Sequence, residues 1–300
     1  MKAVRFSRFG GPEVLEIVDL PEPQATPGRI RIAVRAAGIN AGDWKKRRGP
    51  VDPQLPQTLG HEAAGTVDEL GEGVEGLAIG DRVFGLCAQG AAQAQSAVLD
   101  HYAPMPPTLD FAQAAALPTA VETAARALDQ LGVHDGATLL VNGASGTIGG
   151  VAVQLAVARG ARVIGTARPA NHAYLRTLGA EPVAYGPDMT DRVRALSSEG
   201  VGYALDVAGS GILPELIDLA GGPDNVLTIA DFPGARRHGV RFSRGDTGRA
   251  LYALHRIGPM IEAGLLALPT VVTFPFAEIA EAHRAGEGGS VHGKLVLLID

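Results

Sequence analysis

The chain has 300 residues, 46% apolar and 19% charged, enough length and apolar content for two packed domains and too much for a disordered tract. Its net charge of −6 comes from intermixed signs, which excludes the basic footprint of a nucleic-acid or anionic-membrane binder; the local run Lys45-Lys46-Arg47-Arg48 is too short for that role. A single cysteine, Cys87, excludes an intrachain disulfide and a multi-cysteine zinc site, and points to a reducing compartment.

The N-terminal MKAVRFSRFGGPEVLEI alternates like a strand and lacks the apolar stretch of a signal peptide. No window reaches the ~18 uninterrupted apolar residues of a membrane-spanning helix. A soluble, cytoplasmic protein with no membrane or nucleic-acid partner is therefore expected. Up to about residue 110 the chain is β-flavoured, with alternating runs at 2–6, 15–19, 29–34 and 65–70 between Gly/Pro punctuation such as Gly10-Gly11-Pro12 and Pro27-Gly28. Many short strands with frequent turn signals predict a small barrel or sandwich. Beyond Asp110 the period changes. Val121, Ala124, Ala125 and Leu128 fall at helical spacing, and strands at 137–141, 162–166, 182–185, 203–207 and 225–230 then alternate with helices at 148–159, 171–178 and 212–219. That alternation predicts an α/β domain, a parallel sheet with helices on both faces. A helix around 251–263 and a final strand at 294–299 follow.

The stretch VNGASGTIGG (141–150) sits between a predicted strand and a predicted helix, with Gly143, Gly146 and Gly149 spaced three apart around Ser145. A phosphate-binding turn needs glycines for a tight bend, for approach of the backbone to a diphosphate, and for helix–strand contact; the helix N-terminus then favours the negative charge. The spacing GxxGxxG departs from GxGxxG, so it is the strand–turn–helix context that predicts a dinucleotide site. An NAD site places a carboxylate ~20 residues further on, at the end of the second strand. Here that end reads Thr166-Ala167-Arg168-Pro169. Arg168 stands where a 2′-phosphate wants a cation, with Asn171 and His172 as further donors, so NADPH is the expected cofactor; a surface arginine following a strand is the other reading.

Together MKAVRFSRFGGPEVLEI, VRAAGINAGDWKKRRG (34–49), LGHEAAGTVDELGEGVEGLAIGDRV (59–83) and NGASGTIGGVAVQLAVARGARVIGTA (142–167) resemble the medium-chain dehydrogenase/reductase superfamily, in its zinc-free quinone oxidoreductase (zeta-crystallin-like) branch. The resemblance spans essentially the whole chain. It implies a GroES-like β-barrel catalytic domain at 1–118, a Rossmann NADP-binding domain at 119–257 and a return segment at 258–300, with the active site in a cleft between the domains. It also implies a homodimer formed through Rossmann edge strands, for which 225–230 is the candidate.

In the family's alcohol dehydrogenases, zinc sits on a Cys after the GI pair, on the His of GHE, and on a second Cys before the middle helix. Those positions here read Gly38-Ile39-Asn40, Gly60-His61-Glu62 and Leu117-Pro118-Thr119. Only His61 remains, and a catalytic zinc needs about three protein ligands. No metal is expected and His61 reads as a leftover histidine, although Glu62 could supply a second ligand.

Without a Lewis acid, hydride is more easily delivered to a conjugated acceptor, a quinone or an α,β-unsaturated carbonyl, whose charge spreads onto a distant oxygen. The resemblance places Asn40 facing the nicotinamide or the substrate. Lys45 matches a position that is often Tyr in quinone oxidoreductases and Lys in enone reductases carrying DWK, which makes it a candidate enolate stabiliser or proton donor; the alternative is a solvated basic loop. Asp43 would hold the loop or pair with Lys45, and Trp44 would anchor packing. Tyr185 matches the Tyr after the third Rossmann strand that approaches the adenosine phosphate, and Asn142 and Thr147 flank the turn as phosphate donors. His172 replaces the Lys that many relatives use for the 2′-phosphate. Lys294, in HGK, resembles a lysine near the cofactor end of the cleft, or is a surface lysine at a strand end. The leading expectation is an NADPH-dependent quinone or enone reductase. An enoyl reductase acting on a thioester-bound polyketide or lipid intermediate, and a non-catalytic NADPH-binding protein, are the alternatives. Loops 86–96 and 231–248 would shape the acceptor pocket.

Overall fold

The computed structural model describes every residue except 50, 51, 88, 89, 246, 290 and 292. Parts of the 86–96 and 231–248 loops, and the His of HGK, thus lie outside the described residues. Two compact units form, Met1–Thr119 with Leu268–Asp300, and Ala120–Ala267. No helix among the described residues is long and apolar enough to cross a membrane.

The hub of the first unit is the ten-residue strand Ile30–Ile39. Its RIRIAV half alternates buried and partly exposed positions, as the sequence pattern requires, whereas Ala36–Ile39 is buried on both faces. Small residues there carry no alternation, which is why the sequence reading stopped at 34. The strand pairs antiparallel with Glu62–Leu70, Ser96–Leu99 and Lys294–Leu298. Leu295 lies opposite Ile39, and Ala37 opposite Ala63. In an antiparallel ladder that register brings Lys294 beside Asn40 and Glu62 beside Gly38. The chain then enters a helix, Ala41–Arg47, with Asn40 at its N-cap position. A solvated basic loop was the alternative for residues 45–48; AGDWKKR carries no apolar stripe that would announce the helix.

The second unit holds a six-stranded parallel sheet, ordered Glu181–Ala184, Arg162–Ala167, Thr138–Asn142, Tyr203–Asp206, Val226–Thr228, Arg241–Phe242. Fully buried side chains such as Leu139, Leu140 and Ile164 fill these central strands, as expected for a sheet covered on both faces. The order corrects one expectation. The predicted edge strand at 225–230 lies between two neighbours, and the edge beyond it is Arg241–Phe242, only two residues long and too short to show a period. The helix Tyr252–Glu262 also belongs to this unit, burying Ala253, Leu254 and Ile257, so the return begins at 268 rather than 258.

Candidate functional site

In the first unit, Asn40 follows the end of the hub strand and is held through both its backbone and its side chain. Its backbone N–H donates to Asp43 Oδ2 at 2.8 Å, and its Nδ2 donates to Glu62 Oε1 at 2.7 Å. The Lys294 ammonium donates to both Asn40 Oδ1 and Glu62 Oε1. Glu62 Oε2 accepts from the Thr119 backbone N–H at 2.8 Å. Gly38 makes room for this carboxylate, since a Cβ on Gly38 would lie 2.4 Å from Glu62 Oε1. Asp43, fully buried, also accepts from Gly60 N at 3.2 Å and faces Gln93 Nε2 at 3.5 Å. Burial pushes the Asp43 carboxyl above the usual carboxylate range, while His61, the Asn40 and Gly60 N–H groups and Lys294 pull it back.

These residues do not fit a tetrahedral zinc. Among the described residues no group of three or more His, Cys, Asp or Glu could hold a metal ion. At the three family positions stand a carboxamide already engaged on both its atoms, an exposed His61, and a threonine whose backbone holds Glu62. An ammonium, which can only donate, lies among them.

In the second unit the glycine turn sits where sequence placed it. Gly143 adopts φ +83, and its N–H donates to Thr166 Oγ1 at 3.1 Å. A Cβ on Gly149 would meet Gly143 O at 2.3 Å, so only glycine lets the Thr147–Ala158 helix approach the strand this closely. Gly146 is the helix N-cap and has no side-chain cap, which leaves the first N–H groups open to an anion. Beneath the turn runs a buried chain across four strand ends. Thr228 Oγ1 donates to Asp206 Oδ2 at 2.7 Å, Asn142 Nδ2 to Asp206 Oδ1 at 2.9 Å, and Thr166 Oγ1 to Asn142 Oδ1 at 2.7 Å. Asn142 therefore supports the turn from below; the expectation that it offers a donor to phosphate gives way, because its amide is buried on Asp206. Nothing in the sequence pattern flagged Thr166, Asp206 and Thr228, which stand on separate strands.

The remaining candidates gather beside the turn in pairs. Arg168 Nε donates to Tyr185 OH at 3.0 Å, Asn171 Nδ2 donates to Ser145 Oγ at 3.1 Å, and His172 Nε2 lies 3.3 Å from Ala167 O. Thr147, half-buried, is the first residue of the helix. Lys294 belongs to the first unit and is 4% exposed, which overturns the surface-lysine alternative. Lys45 is exposed on its helix and has no hydrogen bond or ion pair among the described residues, so of the two roles weighed for Asp43 it is loop-holding that the geometry bears. Its neighbour Lys46 turns inward, donating to Thr58 O at 3.0 Å, with an ammonium that desolvation holds below the usual lysine range. Trp44 packs edge-on against His283, with ring centroids 6.2 Å apart, as a packing anchor. Glu62 and Gln93 were not assigned a place with Asn40 by sequence reasoning; the GHE motif flagged Glu62 only as a metal ligand.

Comparison with known proteins agrees with this architecture. Residues 26–118 match the alcohol dehydrogenase GroES-like domain and residues 178–297 the zinc-binding dehydrogenase model. The chain is 36% identical over 98% of its length to a part of the spectinabilin polyketide synthase system protein NorB of Streptomyces orinoci, a match that takes in 14% of that protein. It is 30% identical over 99% of its length to 2-methylene-furan-3-one reductase of Solanum lycopersicum, covering 79% of that enzyme. The solved quinone oxidoreductase of Coxiella burnetii superposes with a TM-score of 0.86 at 31% identity, covering 100% of this chain and 99% of the other.

Proposed function

The chain belongs to the medium-chain dehydrogenase/reductase family, in its quinone oxidoreductase-like part, whose members bind a nicotinamide cofactor, and on that premise we propose an NADPH-dependent reductase that delivers hydride, without zinc, to a quinone or an α,β-unsaturated carbonyl. When bound, the cofactor supplies the hydride. The turn at Gly143–Gly146 and the uncapped N–H groups of the Thr147–Ala158 helix favour its diphosphate, with Ser145 and Thr147 as hydroxyl donors. Arg168, hydrogen-bonded to Tyr185, and Asn171 offer the 2′-phosphate a cation and an amide where an NAD site would carry a carboxylate.

At the acceptor, hydride addition to one end of the conjugated system leaves negative charge on the oxygen at the other. Fixed donors lower that barrier most when they are already oriented. Asn40 is such a donor, and its clamping by Lys294 and Glu62 is the observation that carries this reading. Exposed Lys45 is the second candidate cation, as enolate stabiliser or proton donor. The test is NADPH oxidation by the purified chain against a 1,4-benzoquinone, a free enone and an enoyl thioester. Turnover of either of the first two supports the reading. The 36% identity to a polyketide synthase segment favours, as a second reading, reduction of a thioester-bound intermediate, and turnover confined to the thioester would select it. NADPH binding with no turnover on any acceptor would mark a binding protein instead.

A further inference from the structure

The Asn40 carboxamide has a unique orientation, and charge imposes it. A primary amide can be turned over to exchange its oxygen and nitrogen, and its neighbours decide between the two settings. Lys294 carries only donors, so the atom facing it is the oxygen; ionised Glu62 carries only acceptors, so the atom facing it at 2.7 Å is the nitrogen. Both partners are buried and hydrogen-bonded. Lys294 is 4% exposed and Glu62 fully buried, the two are bonded to each other, and the second oxygen of Glu62 is held by Thr119 N at 2.8 Å. Asp43 fixes the backbone of the same residue. With Oδ1 on the ammonium and one Nδ2 hydrogen on the carboxylate, the second Nδ2 hydrogen has no acceptor among the described residues.

We infer that Lys294 and Glu62 are a buried positioning pair, which orients and polarises the Asn40 carboxamide so that its second Nδ2–H donates to the acceptor oxygen that gains charge during hydride transfer. A cation at the amide oxygen and an anion at the amide nitrogen favour the same dipolar resonance form, which makes the remaining N–H a stronger donor. The pair is neutral as a unit, so it polarises the amide without adding net charge beside the developing oxyanion. Neither charge needs to touch the substrate. The inference rests on the reductase reading for its substrate, but its geometry belongs to the first unit alone.

A double-mutant cycle between positions 294 and 40 tests it. Lys294→Met should lower kcat about 10- to 100-fold on the best acceptor, with NADPH affinity and acceptor KM within about twofold. The same change in an Asn40→Ala background should cost nothing further. Because Lys294→Met leaves a buried carboxylate unpaired, Lys294→Met/Glu62→Gln provides a neutral version that keeps the fold; its kcat should stay low even where its melting temperature returns. Lys294→Arg should recover part of the rate. Wild-type kcat in the neutral double variant, or losses at 294 and 40 that multiply, would overturn the inference. If the wild-type chain reduces none of the acceptors, the reductase reading fails separately. The pair is then judged from the Asn40 side-chain amide resonances in a 1H–15N spectrum, identified by their loss in Asn40→Ala. They should move in the neutral double variant, and resonances that stay in place would refute the role of the pair.

Discussion

Alanine at Gly149 and alanine at Gly146 perturb the same turn in opposite ways. The Gly149 methyl would stand 2.3 Å from Gly143 O and 2.8 Å from Ala144 Cα, both backbone atoms, so no side chain can swing aside. Relief requires the turn and helix to part by about 1 Å, an overpacking defect worth ~1–3 kcal/mol. At ~2–4 °C per kcal/mol for a chain segment of this size, the melting temperature should fall by several degrees. The Gly146 methyl would meet only Gly143 O, at 3.4 Å, an ordinary contact, and its φ of −75 with ψ 169 suits any residue. Its cost is the loss of a good N-cap glycine, ~1 kcal/mol or less. That methyl would nevertheless stand on the open side of the turn, where a diphosphate needs bare backbone. NADPH should therefore bind Gly146→Ala at least about tenfold more weakly, ~1.4 kcal/mol, on a nearly intact fold. Scanning fluorimetry reads the stability and NADPH fluorescence titration the affinity. Native affinity in Gly146→Ala would show that the dinucleotide does not lie on this turn, and native stability in Gly149→Ala would refute the close-approach argument.

Arg168→Ala should weaken NADPH binding about 10-fold or more and leave NADH binding nearly unchanged, because only the 2′-phosphate meets the guanidinium; equal losses for both cofactors would remove its role in discrimination. His283 is fully buried, neither ring nitrogen has a partner among the described residues, and burial, helped by Arg47, lowers its pKa from 6.5 to about 3. A depressed folded pKa makes this contribution to stability complete above pH 6.5 and lost progressively as pH falls toward 3. The native state cannot take the proton that the unfolded chain binds, at a slope of up to ~1.4 kcal/mol per pH unit. Urea unfolding of His283→Leu should thus show a shallower acid decline than wild type between pH 6 and 4, and parallel curves would contradict the buried neutral imidazole. Exhaustive chelation should leave turnover unchanged; loss of activity restored by zinc would overturn the metal-free reading of Asn40, His61 and Thr119.

Much of the fold is legible in the chain because hydrophobic period and glycine punctuation are local signals. Strands at 2–6, 137–141 and 203–207 were placed within a residue of their observed bounds, and the helix at 148–159 within one. The turn was legible for the same reason, since Gly143, Gly146 and Gly149 lie within seven residues of one another and their conformations are set by the chain itself. Failures fall where a local signal is weak or misleading. Ala41–Arg47 looks like a charged loop, and the edge strand Arg241–Phe242 is too short for a period.

The sequence by itself determined the two architectures and the glycine turn, since each is written in residue type and short-range spacing. It could not determine what Asn40 does with its two amide atoms. That was decided by antiparallel register, which brings Lys294 and Glu62 from distant parts of the chain to Asn40, and by the start of the Pro118–Leu131 helix, whose Thr119 N–H holds Glu62. The same holds for the buried chain Thr228–Asp206–Asn142–Thr166, whose members meet only because four parallel strands end side by side. Hydrogen bonds act over about 3 Å of space, and tertiary pairing alone sets which distant residues come within that reach.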